Sequence, residues 1–204
     1  MNKIKIAVMV STNGTDLQAI IDSIKSKNLD VELSVVFANK KCYAIERSKE
    51  QGFTTEILIY NKDEHTRESY DKKVAEILDK YNIELIVLVG YMRLFSPWFC
   101  EKYNGKIINI HPSLLPSFPG MDKSVHEEVL EHGCKVSGCT IHFVDSGMDT
   151  GPIIAQGVIN IENNETINSL KEKVQNLEKK MYPEVIQKFA KGKIKLNGRK
   201  VIVE

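Results

Sequence analysis

The sequence predicts an open, mostly parallel, twisted α/β sheet with helices on both faces. Short apolar runs alternate with amphipathic segments through the first half of the chain, a pattern typical of strand–helix–strand units. The run at residues 85–89 is apolar at every position, as expected for a parallel strand buried on both faces. With 204 residues, of which 42% are hydrophobic, the chain suits one globular domain, and we expect a single domain over residues 1–204.

The elements of the first half follow from the spacing of apolar residues. β-branched and apolar residues at 4–10 predict the first strand, and a turn-rich loop at 11–16 follows it. Apolar residues then recur at helical spacing from Leu17 to Ile24. The next elements are a strand at 31–37, a helix at about 43–51, a strand at 54–59, a helix with its apolar stripe from Tyr70 to Tyr81, and the strand at 85–89.

The second half of the chain is less regular. Its predicted elements are a strand at 106–110, a helix at 124–132, strands at 136–144 and 153–159, and a helix from 166 to about 190. The basic residues at 191–200 are expected to form a solvated tail. In an open sheet of this kind, ligands collect outside the carboxyl ends of the strands, and the unusual residues of this chain fall at predicted strand ends.

Charge, apolar runs and cysteines exclude several classes of protein. The net charge of +1 provides no global field for nucleic acid or a membrane surface, so we expect neither partner. No apolar stretch is long enough to span a bilayer, and the first residues lack a signal-peptide pattern. The four cysteines form no C-x-x-C pair and have no zinc-site spacing. We expect a cytoplasmic protein without a metal.

Asn109 and His111 are the first candidates for chemistry. Alternate side chains of a strand share a face, so these two point the same way at the carboxyl end of a predicted strand, and Pro112 then ends the pairing. An amide can donate to an oxyanion, and an imidazole can act as acid, base or cationic stabiliser. The alternative is a solvated strand end with two polar residues. The stiff loop that continues to Pro116 favours a site.

A second candidate is the loop at 145–152, which holds Asp145 and Asp149 among glycines. A carboxylate close to His111 would favour the protonated form of that ring. The alternative is an ordinary surface turn, since Asp and Gly are common in turns.

The loop after the first strand is a third candidate. Free N–H groups at a helix start that follows Gly14 form an anion site. The sequence is neither G-x-G-x-x-G nor a Walker motif, which gives little support to a dinucleotide or ATP. Asp16 could equally serve as the N-cap of the helix.

Four segments, in order along nearly the whole chain, carry a resemblance to a known family. They are residues 11–20 (STNGTDLQAI), 90–94 (GYMRL), 109–116 (NIHPSLLP) and 138–144 (GCTIHFV), the last continuing to 149–154 (DTGPII). The chain resembles the glycinamide ribonucleotide formyltransferase family, the folate-dependent transformylases of purine biosynthesis. The third segment is specific to folate formyltransferases as a superfamily. The loop at 13–16, together with the chain length, narrows the resemblance to the glycinamide ribonucleotide formyltransferases within it.

The resemblance implies a Rossmann-like formyltransferase fold and a metal-free reaction. A formyl group would pass from 10-formyltetrahydrofolate, the co-substrate, to the primary amine of glycinamide ribonucleotide. His111 would protonate or stabilise the tetrahedral intermediate, Asn109 would donate to its oxyanion, and Asp149 would orient His111. This agrees with the chemistry of the residues themselves, because formyl transfer between nitrogens needs oxyanion stabilisation and proton shuttling.

The resemblance also implies two binding regions, with the ribonucleotide phosphate in the N-terminal half and the folate with the catalytic residues in the C-terminal half. The substrate-binding residues would be Gly14, Thr15, Asp16, Gln175 and Glu178, the first three at the phosphate and Glu178 at the amine. The folate-binding residues would be Arg67, Met92, Arg93, Leu94, Phe95, Asn109, Asp145 and Met148.

The chain departs from the family pattern in the phosphate loop. Position 12 is Thr where relatives often have Gly, and position 16 is Asp where many have Asn. A carboxylate beside a phosphate is unfavourable unless it turns away to cap the helix. The resemblance therefore implies that the backbone N–H of Asp16, rather than its side chain, contacts the phosphate.

Several polar residues have a structural interpretation beside a functional one. His142 alternates with apolar neighbours in a strand, which favours a structural histidine. His65, His126 and His132 are expected at the surface. Arg93 could contact the folate or form a structural ion pair, and Arg67 could be a helix-surface charge.

Three alternative functions remain at this point. Methionyl-tRNA formyltransferase adds a C-terminal barrel domain and a basic surface, which we do not expect in a chain ending at Glu204 with a net charge of +1. Formyltetrahydrofolate deformylase carries an N-terminal regulatory domain, which we do not expect where the first strand begins near Lys3. This hydrolase is the stronger of these two alternatives, because water could replace the amine as the acceptor of the formyl group. A non-catalytic folate- or nucleotide-binding domain would not need Asn109, His111 and Asp149.

Overall fold

A computed structural model describes residues 3–120 and 124–204 and contains one large mixed sheet. The strands of this sheet are β1 (Ile4–Val10), β2 (Val31–Ala38), β3 (Thr55–Ile57), β4 (Leu85–Val89), β5 (Ile107–His111), β6 (Val136–Phe143) and β7 (Ile153–Asn160). The helices are α1 (Thr15–Lys25), α2 (Tyr43–Glu50), α3 (Arg67–Lys80), α4 (Pro97–Lys102), α5 (Val125–Glu131) and α6 (Ile167–Ala190). Two short strands, β8 (Ile194–Asn197) and β9 (Lys200–Val203), follow α6.

The order of the strands confirms the predicted fold class. The large sheet runs β3-β2-β1-β4-β5-β6-β7. β1 to β5 are parallel, whereas β6 pairs antiparallel with both β5 and β7. The order reverses between β1 and β4, so the segments that leave their carboxyl ends diverge and open a crevice.

Hydrophobic residues cover both faces of the sheet. In β1, Ile6 and Val8 face one core, which α1 and α6 complete with residues such as Leu17 and Leu170. Met9 faces the other core, where α3 and α4 pack. Both faces of this strand are buried, which explains why its sequence is apolar without alternation.

The long helix α6 is tied to the centre of the sheet. The hydroxyl of the fully buried Tyr182 lies 2.9 Å from the carbonyl oxygen of Leu88 and 3.0 Å from that of Ile108. These contacts hold α6 against β4 and β5, beside α1. In the described ranges 3–120 and 124–204, no helix is long and apolar enough to cross a membrane.

The C-terminal segment differs from the prediction. The expected solvated tail is instead an antiparallel hairpin of β8 and β9, with Asn197 paired to Lys200 across a two-residue turn. Gly198, the first turn residue, has φ 59°, which glycine adopts without steric cost. In β8 apolar residues alternate with polar ones, and Ile194 and Val201 pack against the core. The basic composition of this segment concealed its strand alternation.

Candidate active site

A cavity of about 340 Å³ opens at the carboxyl ends of β4 and β5. Most residues predicted for catalysis and folate binding line it together. They are Met92, Arg93, Leu94, Phe95, Asn109, His111, Asp145, Met148 and Asp149. The predicted common face of Asn109 and His111 is therefore present, and the 145–149 loop reaches it.

His111 occupies the end of β5 with both ring nitrogens facing acceptors. Its Nδ1 is 3.4 Å from Oδ2 of Asp149, and its Nε2 is 2.8 Å from the carbonyl oxygen of Phe118. Neither oxygen can donate, so only a doubly protonated ring satisfies both contacts. The surroundings of His111 thus accommodate an imidazolium.

Asp149 is held in place by its backbone and by three neighbours. Its φ of 54° is unusual for a non-glycine residue. Its Oδ2 accepts the backbone N–H of Gly120 at 2.9 Å. Burial alone would raise the pKa of Asp149, but hydrogen bonds from His142 and Gly120 and the charges of His111 and His142 lower it below its usual value.

The loop that carries Asp149 is organised by Asp145 and Gly151. Oδ1 of Asp145 accepts the backbone N–H of Gly147 at 3.1 Å and the hydroxyl of Thr150 at 2.6 Å. A Cβ added at Gly151 would lie 1.7 Å from the carbonyl oxygen of Phe143, so only glycine fits there. Asp145 therefore has a structural role in the loop in addition to its place in the cavity wall.

His142 lies inside this network, although the sequence favoured a purely structural role. β5 and β6 pair so that Asn109 lies opposite His142. The Nδ1–H of His142 faces the carbonyl oxygen of Phe143 at 2.8 Å, and its Nε2 is 3.2 Å from Nδ2 of Asn109 and 3.6 Å from Oδ1 of Asp149. When the ring is neutral, Nε2 accepts one N–H of Asn109, which leaves the second N–H of that amide to donate elsewhere; when the ring is protonated, Nε2 donates to Asp149. The register that creates this pair cannot be read from either strand alone.

The predicted phosphate loop lies outside the cavity, at the start of α1. Gly14 is the N-cap residue, with φ 68° and no side-chain cap, and a Cβ there would lie 2.8 Å from Cβ of Ala44. Asp16 is therefore not the N-cap, as the sequence allowed, but the second residue of the helix. Its side chain is buried, and within residues 3–120 and 124–204 its Oδ1 has no hydrogen-bond partner. Thr15, next to it, is exposed.

The substrate-binding residues predicted on α6 lie on the helix that packs beside α1. Glu178 is buried and Gln175 is half-buried. Burial raises the pKa of Asp16 to about 6, with the charge of Lys179 opposing the shift. Burial and then the charge of Asp16 raise the pKa of Glu178 to about 8. Near neutral pH the two carboxyl groups therefore hold at least part of one proton between them.

A single hydroxyl connects the phosphate loop to the cavity. Ser11, directly after β1, accepts the backbone N–H of Met92 at 3.0 Å and donates to Oδ1 of Asn39 at 2.5 Å. Gly90 packs against Thr12, because a Cβ at Gly90 would lie 2.6 Å from the Thr12 hydroxyl. The chain segments leaving β1 and β4 therefore touch, and the two predicted binding regions adjoin.

Comparison with known proteins identifies the family. Residues 4–186 match the model of the formyl transferase family. The chain belongs to the formyl transferase family. It is 37% identical over 193 residues to the phosphoribosylglycinamide formyltransferase of Escherichia coli (strain K12), covering 94% of this chain and 90% of that protein. The solved structure of glycinamide ribonucleotide transformylase 1 from Symbiobacterium toebii matches with a TM-score of 0.92 and 36% identity, covering 98% of this chain and 94% of that one.

Some relatives of this formyl transferase are much longer than the chain. It is 39% identical over 200 residues to the trifunctional purine biosynthetic protein adenosine-3 of Chironomus tentans. That match covers 97% of this chain but 14% of the longer protein. The chain thus corresponds to one part of that relative and to most of the bacterial one.

The guanidinium groups of the two arginines predicted to bind folate, Arg67 and Arg93, do not point into the cavity. Arg93 lines the cavity, but its guanidinium stacks between Tyr60 and Tyr70 and lies 3.6 Å from Asp71. The structural ion pair considered for Arg93 is therefore present. Arg67 is exposed at the first residue of α3 and is not among the described residues that line the cavity.

The prediction that His126 lies at the surface was wrong. Its side chain is buried in α5 and lines the cavity. Burial, followed by the charges of Lys171 and His111, lowers the pKa of His126. The apolar face of α5 turns inward and carries His126 with it, a placement that helical spacing from Val125 and Val129 could have indicated.

Together these residues surround a largely apolar cavity with an amide donor, an imidazole and a paired carboxylate. Such a set can stabilise a developing oxyanion and move protons in a site of reduced water content. Among the described residues, no group of three or more His, Cys, Asp or Glu side chains is arranged to hold a metal ion. The expectation of a metal-free enzyme stays a prediction.

Proposed function

We propose that this chain transfers a formyl group from 10-formyltetrahydrofolate to the primary amine of glycinamide ribonucleotide. The observation that carries this proposal is the convergence of Asn109, His111 and Asp149 on one cavity. Its support is membership of the formyl transferase family, with a relative named phosphoribosylglycinamide formyltransferase that the chain covers almost completely.

The cavity suits the chemistry of formyl transfer. The amine nitrogen attacks the formyl carbon, a new C–N bond forms, and the carbonyl oxygen becomes an oxyanion. The free N–H of Asn109 and an N–H of His111 donate to that oxyanion. The bond to N10 then breaks, and the proton lost by the amine ends on N10, carried through His111 while Asp149 steadies the imidazolium. Because Nε2 of His111 is occupied by Phe118 in this structure, substrate entry requires that contact to be exchanged.

The two adjoining regions fit the two substrates. The folate ring occupies the apolar cavity, against Met92, Leu94 and Phe95. The phosphate takes the N–H groups at the start of α1, beginning at Gly14. The amine end lies toward Glu178, whose carboxyl can accept its N–H. This arrangement needs no nucleic acid and no membrane, and we expect the reaction in the cytoplasm by a single domain.

An assay of the purified protein with 10-formyltetrahydrofolate, with and without glycinamide ribonucleotide, tests this proposal. Loss of the formyl group that depends on the ribonucleotide and yields formylated product is the expected result. Deformylation without the ribonucleotide would instead identify a hydrolase. Folate binding without any turnover would identify a binding domain, and both results would refute the transferase.

A further inference from the structure

We propose that Asp71, a carboxylate buried behind the cavity, positions the segment 93–96 as a cavity wall and thereby sets the affinity for the folate co-substrate. This inference rests on the proposed function. Asp71 is absent from the cavity lining, so it acts through the residues it holds and not by touching a substrate.

Asp71 holds both ends of a short segment with one carboxylate. It lies on α3 and is fully buried. Its Oδ2 accepts the backbone N–H of Ser96 at 2.6 Å, while its Oδ1 is 3.6 Å from Nη1 of Arg93. Leu94 and Phe95, between these two anchors, line the cavity. A buried charge is costly unless it is paired, so this carboxylate belongs to a specific arrangement.

Asp71 is the anchor of this segment's backbone, in addition to the ring of Phe95, which stacks on Tyr91 and Phe99 with centroid distances of 5.3 and 4.5 Å. Residues 91–96 belong to no helix or strand, so no ladder of backbone hydrogen bonds sets their position. Ser96 is the N-cap of α4 and accepts the N–H of Phe99 at 3.3 Å, so Asp71 also places the start of that helix. A wall built from irregular backbone must be held by side chains, and Asp71 supplies that hold.

Arg93 lines the cavity, but its guanidinium is immobilised outside it. Its guanidinium carbon lies 3.9 Å from the ring centre of Tyr60 and 4.1 Å from that of Tyr70. The hydroxyl of Tyr70 donates to the carbonyl oxygen of Leu58, which fixes the second ring. A guanidinium between two aromatic faces and a carboxylate cannot rotate toward the ligand without losing all three contacts. The cation therefore anchors the wall, and the rest of the segment meets the folate.

The test uses Asp71→Asn, which keeps the size of the side chain and an acceptor for Ser96 but removes the charge that faces Arg93. We expect the KM for 10-formyltetrahydrofolate and the Kd for the product tetrahydrofolate to rise about tenfold, the effect of leaving one buried partner unpaired. We expect kcat and the KM for glycinamide ribonucleotide to change less than threefold. The matched control is Glu68→Gln, the same charge change on the exposed side of α3, where Glu68 pairs with Lys72.

A second variant protects the test against loss of folding. Arg93→Lys keeps the positive charge but loses the planar stack between the tyrosines, and we expect the same selective rise in the KM and Kd for folate. Unchanged folate affinity in folded Asp71→Asn, or in folded Arg93→Lys if Asp71→Asn does not fold, would overturn the inference. So would a fall in kcat with the folate Kd unaltered. A wild-type protein that neither binds tetrahydrofolate nor transfers the formyl group would instead refute the proposed function.

Discussion

The cavity and the contact between α1 and α6 both bury carboxylates, with opposite consequences. At the cavity, Asp149 faces two histidines and a backbone N–H, and its pKa is lowered. Where α1 packs on α6, burial raises the pKa values of Asp16 and Glu178, the charge of Asp16 adds to the shift at Glu178, and the charge of Lys179 opposes both shifts. The charges of the same two carboxyl groups also raise the pKa values of Cys139 and Tyr182, in addition to burial, which marks one cluster.

In these two regions, the number of donors and charges around each carboxyl group decides whether its pKa ends above or below the usual value. Desolvation raises the pKa in both places, but only Asp149 has enough donors to outweigh it. The cavity is therefore organised before a substrate arrives. The α1–α6 contact instead retains a proton, mainly on Glu178, whose pKa is raised to about 8, while Asp16 ionises at about pH 6.

The largest effect on activity is expected from removing His111, which pairs with Asp149 at the cavity. In His111→Ala the proton carrier and an oxyanion donor are lost, and kcat should fall about 10²- to 10⁴-fold. Steady-state kinetics with both substrates, with circular dichroism to show a retained fold, measure this. His132→Ala, which removes an exposed histidine, should keep kcat within about twofold. Equal activity of the two variants would refute the role of His111.

The second prediction concerns a substitution that disturbs the backbone of the loop that carries Asp149. Gly151→Ala places a methyl group against the carbonyl oxygen of Phe143, so the loop must shift. We expect the free energy of unfolding to fall by about 1–3 kcal/mol, together with a loss of kcat. Urea denaturation measures the first quantity. Ser146→Ala, at an exposed position in the same loop, should change neither value, and a Gly151→Ala protein of wild-type stability would contradict the steric argument.

The third prediction concerns the buried carboxyl group of Asp16, between α1 and α6. Because the pKa of Asp16 is raised from 3.8 to about 6 on folding, its stability contribution is complete below pH 3.8 and is lost as the pH rises through 6. Asp16→Asn avoids this loss, so we expect it to be about 1–3 kcal/mol more stable than the wild type at pH 8 and equal to it near pH 4. Denaturation curves from pH 4 to 8 measure the difference.

The control for this prediction is Asp22→Asn, which makes the same change on the exposed side of α1. We expect it to show no such dependence on pH. A gain for Asp16→Asn that is the same at every pH would mean that the Asp16 carboxyl does not retain its proton on folding.

The smallest expected effect is on the stability of Asp149→Asn, and its sign is opposite to that for Asp16→Asn. The pKa of Asp149 is lowered on folding, so its stability contribution is present above pH 3.8 and is lost as the pH falls through the folded-state pKa. Asp149→Asn should be less stable than the wild type at pH 7, and the gap should close in acid. The same denaturation series measures it. A gap that widens in acid would reverse the proposed contrast between the two regions.

Local patterns were sufficient for much of the fold and for half of the site. The uninterrupted apolar run of β4 identified a buried parallel strand, because a strand covered on both faces needs no polar alternation. The alternation in β5 placed Asn109 and His111 on one face, and both line the cavity. The role of each residue in the reaction stays a prediction until the variants are measured.

Other members of the site depended on contacts between distant parts of the chain. His142 joins Asn109 only through the antiparallel register of β6. His126 is buried because α5 turns its apolar face to the core. Asp71 resembles any helix-surface acid in the sequence, yet it lies under segment 93–96 and pairs with Arg93. Asn109 and His142, and Asp71 and Arg93, are each more than twenty residues apart in the sequence.

The sequence by itself determined which strands are buried, which polar residues stand at their ends and which family the chain resembles, because these follow from periodicity and short motifs. Only the tertiary structure decided which carboxylates are paired. That outcome depends on distances of 3–4 Å between groups far apart in the chain, such as His111 and Asp149. Electrostatic energies change steeply over such distances when water is excluded, and no local pattern specifies them.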